Sequence, residues 1–307
     1  VICYSCDQMH PQLTKNRFGF HELANKPSLA EIKKWYEDNY YQDCPQTGYE
    51  KQYADHEVAY FLNKIEQKAL ILESILGKEK GKRLLDVGCG EGWALRVFHE
   101  RGWKVTGLDF SDFGCKKHNP SQADALRAGD IYQSIDNLAK EGAKFDCIWL
   151  DNVLEHVLDP GELLAKCARL ASDKAALLIE VPNDCSLVQE QVFGGGMVSR
   201  PYWIAPPEHI SYFNRDGLLA LCREIGWESR CTLGDFPIDW FLFNPNTNYV
   251  DKPVGKSCRE AAVRLENLFH EVSPEKTNRF FEAMADIGMG RNIIGFFQLT
   301  TGAKRGV

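Results

Sequence analysis

The sequence predicts a doubly wound α/β protein with a mostly parallel sheet. Two observations carry this expectation: short apolar runs alternate with longer helical patterns from residue 83 onward, and the first of those runs opens directly into a glycine-rich turn. Strand-like runs at residues 83–87, 104–108, 145–150 and 175–181 are interleaved with helical patterns, among them residues 93–101 and 161–171. Such alternation builds βαβ units with right-handed crossovers and a parallel sheet.

The remaining elements follow in order. Ahead of the first strand, Val58, Phe61, Leu62, Ile65, Ala69, Leu72 and Leu76 recur at helical spacing, and a charged break at 78–82 ends that helix. After Pro182 the alternation stops. Residues 184–208 carry Gly194, Gly195 and Gly196 with Pro201, Pro206 and Pro207, the composition of a mobile loop or lid. A helix at 215–225, a strand at 228–233, an aromatic segment at 236–249, a helical stretch at 256–285 and a last apolar strand at 292–299 complete the chain. Three parts are expected: an N-terminal module (1–50) with an amphipathic helix at 28–39, a core (51–235), and a substrate-side insertion with the last strand (236–307).

Composition bounds the function. A chain of 307 residues with 44% hydrophobic content can bury one large core, with or without a small satellite. A net charge of −7 lacks the basic footprint of a nucleic-acid binder, and the scattered basic residues argue against an anionic membrane partner. No apolar run approaches the roughly 20 residues that span a bilayer, and no signal-peptide pattern opens the chain. Most of the 11 cysteines, including Cys89, Cys115, Cys147, Cys167 and Cys222, fall inside helical or strand patterns, where cysteine serves as a small apolar residue. A reducing, cytoplasmic setting and a small-molecule partner are therefore expected, while oligomeric state is not readable.

The strongest signal is Asp86-Val87-Gly88-Cys89-Gly90-Glu91-Gly92, where a buried strand meets a tight turn and a helix starts at once. Glycines let the backbone bend sharply and approach a ligand, and in an open α/β sheet ligands bind at this carboxyl edge. The next strand ends in Asp109, whose carboxylate suits the two hydroxyls of a ribose. A dinucleotide site also has glycines and a later acid, but its spacing is Gly-x-Gly-x-x-Gly, and here the spacing is Gly-x-Gly-x-Gly. Asp86 would also repel a pyrophosphate, whereas it suits the sulfonium and ammonium of S-adenosylmethionine (SAM).

With Gly129-Asp130-Ile131 and Asn152-Val153-Leu154-Glu155-His156, these motifs resemble the class I SAM-dependent methyltransferases over about residues 55–235. Within them the chain is similar to the small-molecule branch of ubiquinone-biosynthesis O-methyltransferases and bacterial sugar methyltransferases. The resemblance implies a Rossmann-like, seven-stranded sheet. It also implies that Asp86, Gly88 and Gly90 surround the methionine part of SAM and that Asp109 binds the ribose. Phe110 and Ile131 would flank the adenine, Asp130 would accept from its amino group, and Asn152 would face the methyl-transfer pocket.

Methyl transfer to a hydroxyl needs alignment and a base, and histidine is the usual base near neutral pH. His209 lies in Pro206-Pro207-Glu208-His209, at the end of the glycine-rich segment, and is the first candidate. His156, after the fourth strand, is the second, with a structural role as its alternative. Tyr202, Tyr212, Trp240, Asn244 and Arg291 are candidate substrate residues. Aromatic faces pack on sugar rings, amides bond hydroxyls, and an arginine can take a phosphate or carboxylate, although a solvated Arg291 is the plainer reading.

Cys3-x-x-Cys6 is half of a zinc ribbon by spacing. Methyltransferases of the resembling branch carry a four-cysteine zinc module before a Pro-Ser…Tyr-Tyr segment like Pro27-Ser28 and Tyr40-Tyr41 here. The second Cys-x-x-Cys is missing; His10, His21 and Cys44 are the nearest substitutes. A metal-free module over the substrate entrance is expected, with zinc at Cys3 and Cys6 as the alternative. The function expected is O-methylation of a small molecule, a sugar or nucleotide-linked glycan precursor. The alternatives are C- or N-methylation, and a non-catalytic SAM-binding partner protein.

Overall fold

A computed structural model describes residues 10–28, 30–32, 34–35 and 52–300. Its centre is a seven-stranded sheet built from β3 (Arg83–Val87), β4 (Lys104–Asp109), β5 (Leu126–Ala128), β6 (Phe145–Asp151), β7 (Ala171–Pro182), β9 (Trp227–Leu233) and β10 (Asn292–Leu299). The strand order is β5-β4-β3-β6-β7-β10-β9. The first five pair in parallel, and β10 runs antiparallel to both β7 and β9. The direction of the chain reverses at β3, so the carboxyl ends of β3, β4 and β6 meet at the switch point where open α/β sheets bind ligands.

Helices cover both faces. On one lie α1 (Asp55–Leu76), α2 (Trp93–Glu100) and α9 (Pro274–Asp286), packed through Ile65, Ala69, Leu72, Phe98 and Phe281 onto Leu84, Trp149, Leu178 and Phe296. On the other, α4 (Ile131–Lys140), α5 (Pro160–Leu170) and α7 (Arg215–Ile225) bury Ile135, Leu163 and Leu218 against Leu85, Leu150 and Ile179. α8 (Gly255–Val272) packs on α1, and α3 (Phe113–His118) follows β4 in the chain.

Local chemistry sets the helix ends. Asp130, Asp159 and Asn214 each accept a hydrogen bond from the backbone three residues on, capping α4, α5 and α7. The stretch expected as one helix over 256–285 is two. Ser273 leaves helical geometry to cap α9, and Pro274, which has no N–H to donate, sits at the first position of the new helix. Segment 184–208 also departs from expectation. Its first half is α6 (Leu187–Gly194), started by a reciprocal Ser186–Gln189 capping box, and only its second half is irregular.

The described N-terminal residues form a second, three-stranded sheet in which β1 (Leu13–Lys15) pairs with β2 (His21–Leu23), and β2 with β8 (Ser211–Tyr212). Phe20, between β1 and β2, is buried within the main core, its ring 4.4 Å from that of Phe213. Cys3, Cys6, Tyr40, Tyr41 and Cys44 lie outside the described residues. His10 and His21 are described, and both are buried. Among the described residues no helix is long and apolar enough to cross a membrane.

Candidate active site

The glycine turn sits where the sequence puts it. Gly88, Gly90 and Gly92 all have positive φ, at 75°, 51° and 77°. A Cβ on Gly88 would lie 2.6 Å from Cγ2 of Val153, so the loops after β3 and β6 touch here only because a side chain is missing. Asp109, at the end of β4, accepts from Gly90 N at 2.8 Å and from Ser111 N at 3.0 Å, one bond to each carboxylate oxygen. Those bonds fix its position and leave further lone pairs for a ligand diol. Burial raises its pKa, and the backbone donors of Ser111, Gly90 and Phe110 oppose that rise. Gly129 N bonds to the carbonyl of Asp109 at 2.8 Å, drawing Asp130 and Ile131 to the same edge. Asp130 spends Oδ1 on the α4 cap, and Phe110 is 44% exposed, an apolar ring presented to solvent.

A cavity of about 330 Å³ opens beside the turn, lined by Asp86, Gly88, Asn152, Phe61, Trp93 and Lys68 among others. Asn152 adopts φ 54°, a left-handed conformation uncommon outside glycine. Its backbone N–H bonds to Glu180 O at 2.9 Å, and its amide donates to Asp151 at 2.8 Å. Asp86 is buried, with its pKa well above the ordinary range because of burial first and the charges of Asp151 and Asp109 next. Acidic groups, bare glycine backbone and the faces of Phe61 and Trp93 suit a ligand bearing a sulfonium and an ammonium. SAM fits these residues.

Sequence reasoning missed part of this edge. Glu91, inside the glycine motif, is buried and accepts from Tyr53 Oη at 2.9 Å and Trp93 Nε1 at 2.7 Å, tying the approach to α1 onto the turn. The second omission is a row of ions. Lys68 of α1 pairs with Asp151 at 2.7 Å and with Glu180, while Lys64 lies 3.3 Å from Asp235 and 3.7 Å from Glu180. An acid closing an otherwise apolar strand, Glu180 in Leu-Leu-Ile-Glu-Val, was the available signal.

The acceptor-side candidates fall into two groups. The structure brings His156 and His209 together, with ring centroids 4.9 Å apart. His156 Nδ1 lies 2.8 Å from the carbonyl of Glu208, so this imidazole holds the histidine-bearing loop, and burial lowers its pKa. His209 Nδ1 is buried with no hydrogen-bond partner among the described residues. Its pKa is lowered to about 3, by burial first and then by His156 and Arg291, so the ring is neutral at physiological pH. Arg291 is not a solvated arginine. It pairs with Asp184 at 3.2 Å, and Asp239, Tyr202 and Tyr249 add to its charged form.

The other group does not join them. Tyr212 is fully buried with Leu13, Leu23 and Trp203, and its hydroxyl donates to the carbonyl of His209 at 2.9 Å, so it shapes the loop. Trp240 is 46% exposed, and Asn244 is exposed and accepts from Asn246 N, so the aromatic segment presents these two to solvent and buries Asp239 instead.

Comparison with known proteins agrees with the geometry. A family model described as a methyltransferase domain matches residues 52–232. The ubiquinone biosynthesis O-methyltransferase of Leptothrix cholodnii is 26% identical over 170 residues, 53% of this chain and 71% of that protein. Its counterpart in a Caulobacter species is 32% identical over 133 residues, 42% of this chain and 52% of that protein, so there the match spans about half of the relative's length. Among solved structures, a SAM-dependent methyltransferase from Archaeoglobus fulgidus superposes with a TM-score of 0.47 at 19% identity, over 77% of this chain and 94% of that one. The glycine turn, the strand-end acids and a matched domain over more than half of the chain lead to one conclusion: the chain belongs to the methyltransferase domain family and is a class I SAM-dependent methyltransferase.

Proposed function

We propose that the protein methylates a hydroxyl of a small molecule, with a sugar or nucleotide-linked glycan precursor as the acceptor class. One observation carries the reading: a neutral, half-buried His209 whose Nδ1 is buried and has no hydrogen-bond partner among the described residues, set beside the ring of His156 and within the field of Arg291. SAM, when bound, supplies the methyl electrophile. Asp86, Gly88, Gly90 and Asn152 would hold its methionine part and Asp109 its ribose, while Phe110, Asp130 and Ile131 would border the adenine.

His209 accepts the acceptor's proton in this scheme. A low pKa makes it a weak base, yet a hydroxyl becomes strongly acidic as its oxygen bonds to the methyl carbon. A neutral ring close at hand is then sufficient, and a protonated one would be useless. Polar groups around Asp184, Arg291 and Asp239 support an acceptor rich in hydroxyls, and the O-methyltransferase names of the relatives support oxygen as the nucleophile.

The test is a panel of sugar nucleotides, free sugars, phenols and amines incubated with SAM carrying a labelled methyl group. Product NMR then reads the atom that receives the label. Oxygen-linked label on a sugar is expected. Label found only on carbon or nitrogen would overturn O-methylation, and label found only on phenols would overturn the acceptor class.

A further inference from the structure

The cavity beside the glycine turn has an ionic floor that folding does not call for. On α1 the buried residues Ile65, Ala69 and Leu72 are apolar and Gln67 is polar, and Lys68 lies among them with only 4% of its side chain exposed. It reaches the carboxyl ends of β6 and β7, pairs with Asp151 and Glu180, and lies 5.1 Å from the ring of Trp149. Glu180 is itself 3% exposed and takes a further bond from Asn292 at 2.7 Å. Buried ion pairs of this kind contribute little net stability, because desolvation offsets their attraction, and packed apolar side chains would serve as well. The network instead borders the cavity lined by Asp86, Gly88 and Asn152.

We propose that Lys68 is an electrostatic positioning residue for methyl transfer: by pairing with Asp151 and Glu180 it keeps the cavity floor from favouring the cationic methyl donor over its neutral product. The inference rests on SAM being the cofactor of this cavity. In the displacement, the acceptor oxygen forms the new bond to the methyl carbon, the carbon–sulfur pair returns to sulfur, and the acceptor proton passes to a base. Positive charge is therefore lost from sulfur along the reaction. A net negative field at that point stabilises the reactant more than the transition state, which slows the chemical step. Asp151 and Glu180 face this cavity together with Asp86, whose carboxyl burial pushes toward the neutral form, and with the cations Lys64 and Arg259; Lys68 is the cation in direct contact with both Asp151 and Glu180. Lys64, one helical turn away, repeats the arrangement against Glu180 and Asp235.

The experiment is calorimetric titration of the full chain with SAM and, separately, with S-adenosylhomocysteine, for wild type, Lys68→Met and Lys68→Arg. Lys68→Met is expected to raise the preference for SAM over S-adenosylhomocysteine by about tenfold, equivalent to about 1.4 kcal/mol, with kcat lowered. Lys68→Arg should stay near wild type. A purely structural lysine would weaken both ligands equally, and an unchanged ratio in Lys68→Met overturns the proposal. If Lys68→Met does not fold, Glu180→Gln reads the same field with opposite sign: its ratio should fall several-fold, and a ratio that holds or rises overturns the proposal. Failure of the wild-type protein to bind either ligand would instead overturn the cofactor assignment.

Discussion

The two halves of the carboxyl edge are built in different ways. Over β3, β4 and β5 the site is made by backbone: three left-handed glycines, N–H groups bonded to Asp109, and strand ends brought level by parallel register. Over β6, β7 and β10 it is made by side chains meeting across long stretches of sequence. Arg291 finds Asp184, and His156 finds the carbonyl of Glu208. A backbone-built site suits a ligand that stays the same, while a side-chain-built site can be rewritten residue by residue for a new acceptor.

Four substitutions put pressure on that contrast. His209→Ala should have the largest effect, lowering kcat by about two orders of magnitude or more while SAM affinity stays within a few-fold. Steady-state kinetics beside SAM titration reads both, and a near-wild-type kcat would remove His209 from proton transfer. Asp109→Ala should show the converse. Loss of charge-assisted ribose bonds, worth ~1.5–3 kcal/mol each, should weaken SAM at least tenfold, with little further change in kcat at saturating SAM. Unchanged SAM binding would contradict the ribose assignment.

Arg291→Met should act on the acceptor alone. Its loss leaves Asp184, whose pKa burial already raises to about 6, without its cation. Acceptor KM should then rise several-fold while SAM affinity holds, and equal losses for both ligands would dissolve the division between the halves. The fourth substitution is read through stability and pH, on a different scale from the other three. The folded-state pKa of His209 lies below the unfolded value of about 6.5, so its contribution is present above pH 6.5 and lost as pH falls toward about 3. Relative to His209→Asn, the wild type should lose up to ~1.4 kcal/mol per pH unit below 6.5. Parallel denaturation curves for the two proteins would show that the ring is not held neutral by the fold.

The same contrast explains what the sequence disclosed. Short-range rules suffice for Asp86 through Gly92, because a strand, a turn and a helix start are contiguous, and they suffice for Asp109, which ends the next strand. β5 escaped notice because three residues, Leu126 to Ala128, on a sheet edge show no alternation of buried and exposed positions. Lys64 and Lys68 read as the polar side of an amphipathic helix. Their burial follows from carboxylates on three different strands that only the assembled sheet places beneath them. Arg291 looked solvated for the same reason, its partner Asp184 being 107 residues away. Trp240 lies in a segment rich in aromatics, and that richness alone does not say which ring turns to solvent.

The docking of Phe20 has a consequence for assembly. The first described hairpin supplies a ring to the main core, and Asn214 fastens it by donating to the carbonyl of Gly19 across 195 residues. During synthesis this hairpin emerges early, yet its partner strand, β8, comes near the end of the parallel sheet. Contacts of such long sequence separation form late. The hairpin therefore acts as a closing clasp, seated only after the sheet behind Phe213 exists, and its removal would leave the core open where Phe20 now packs.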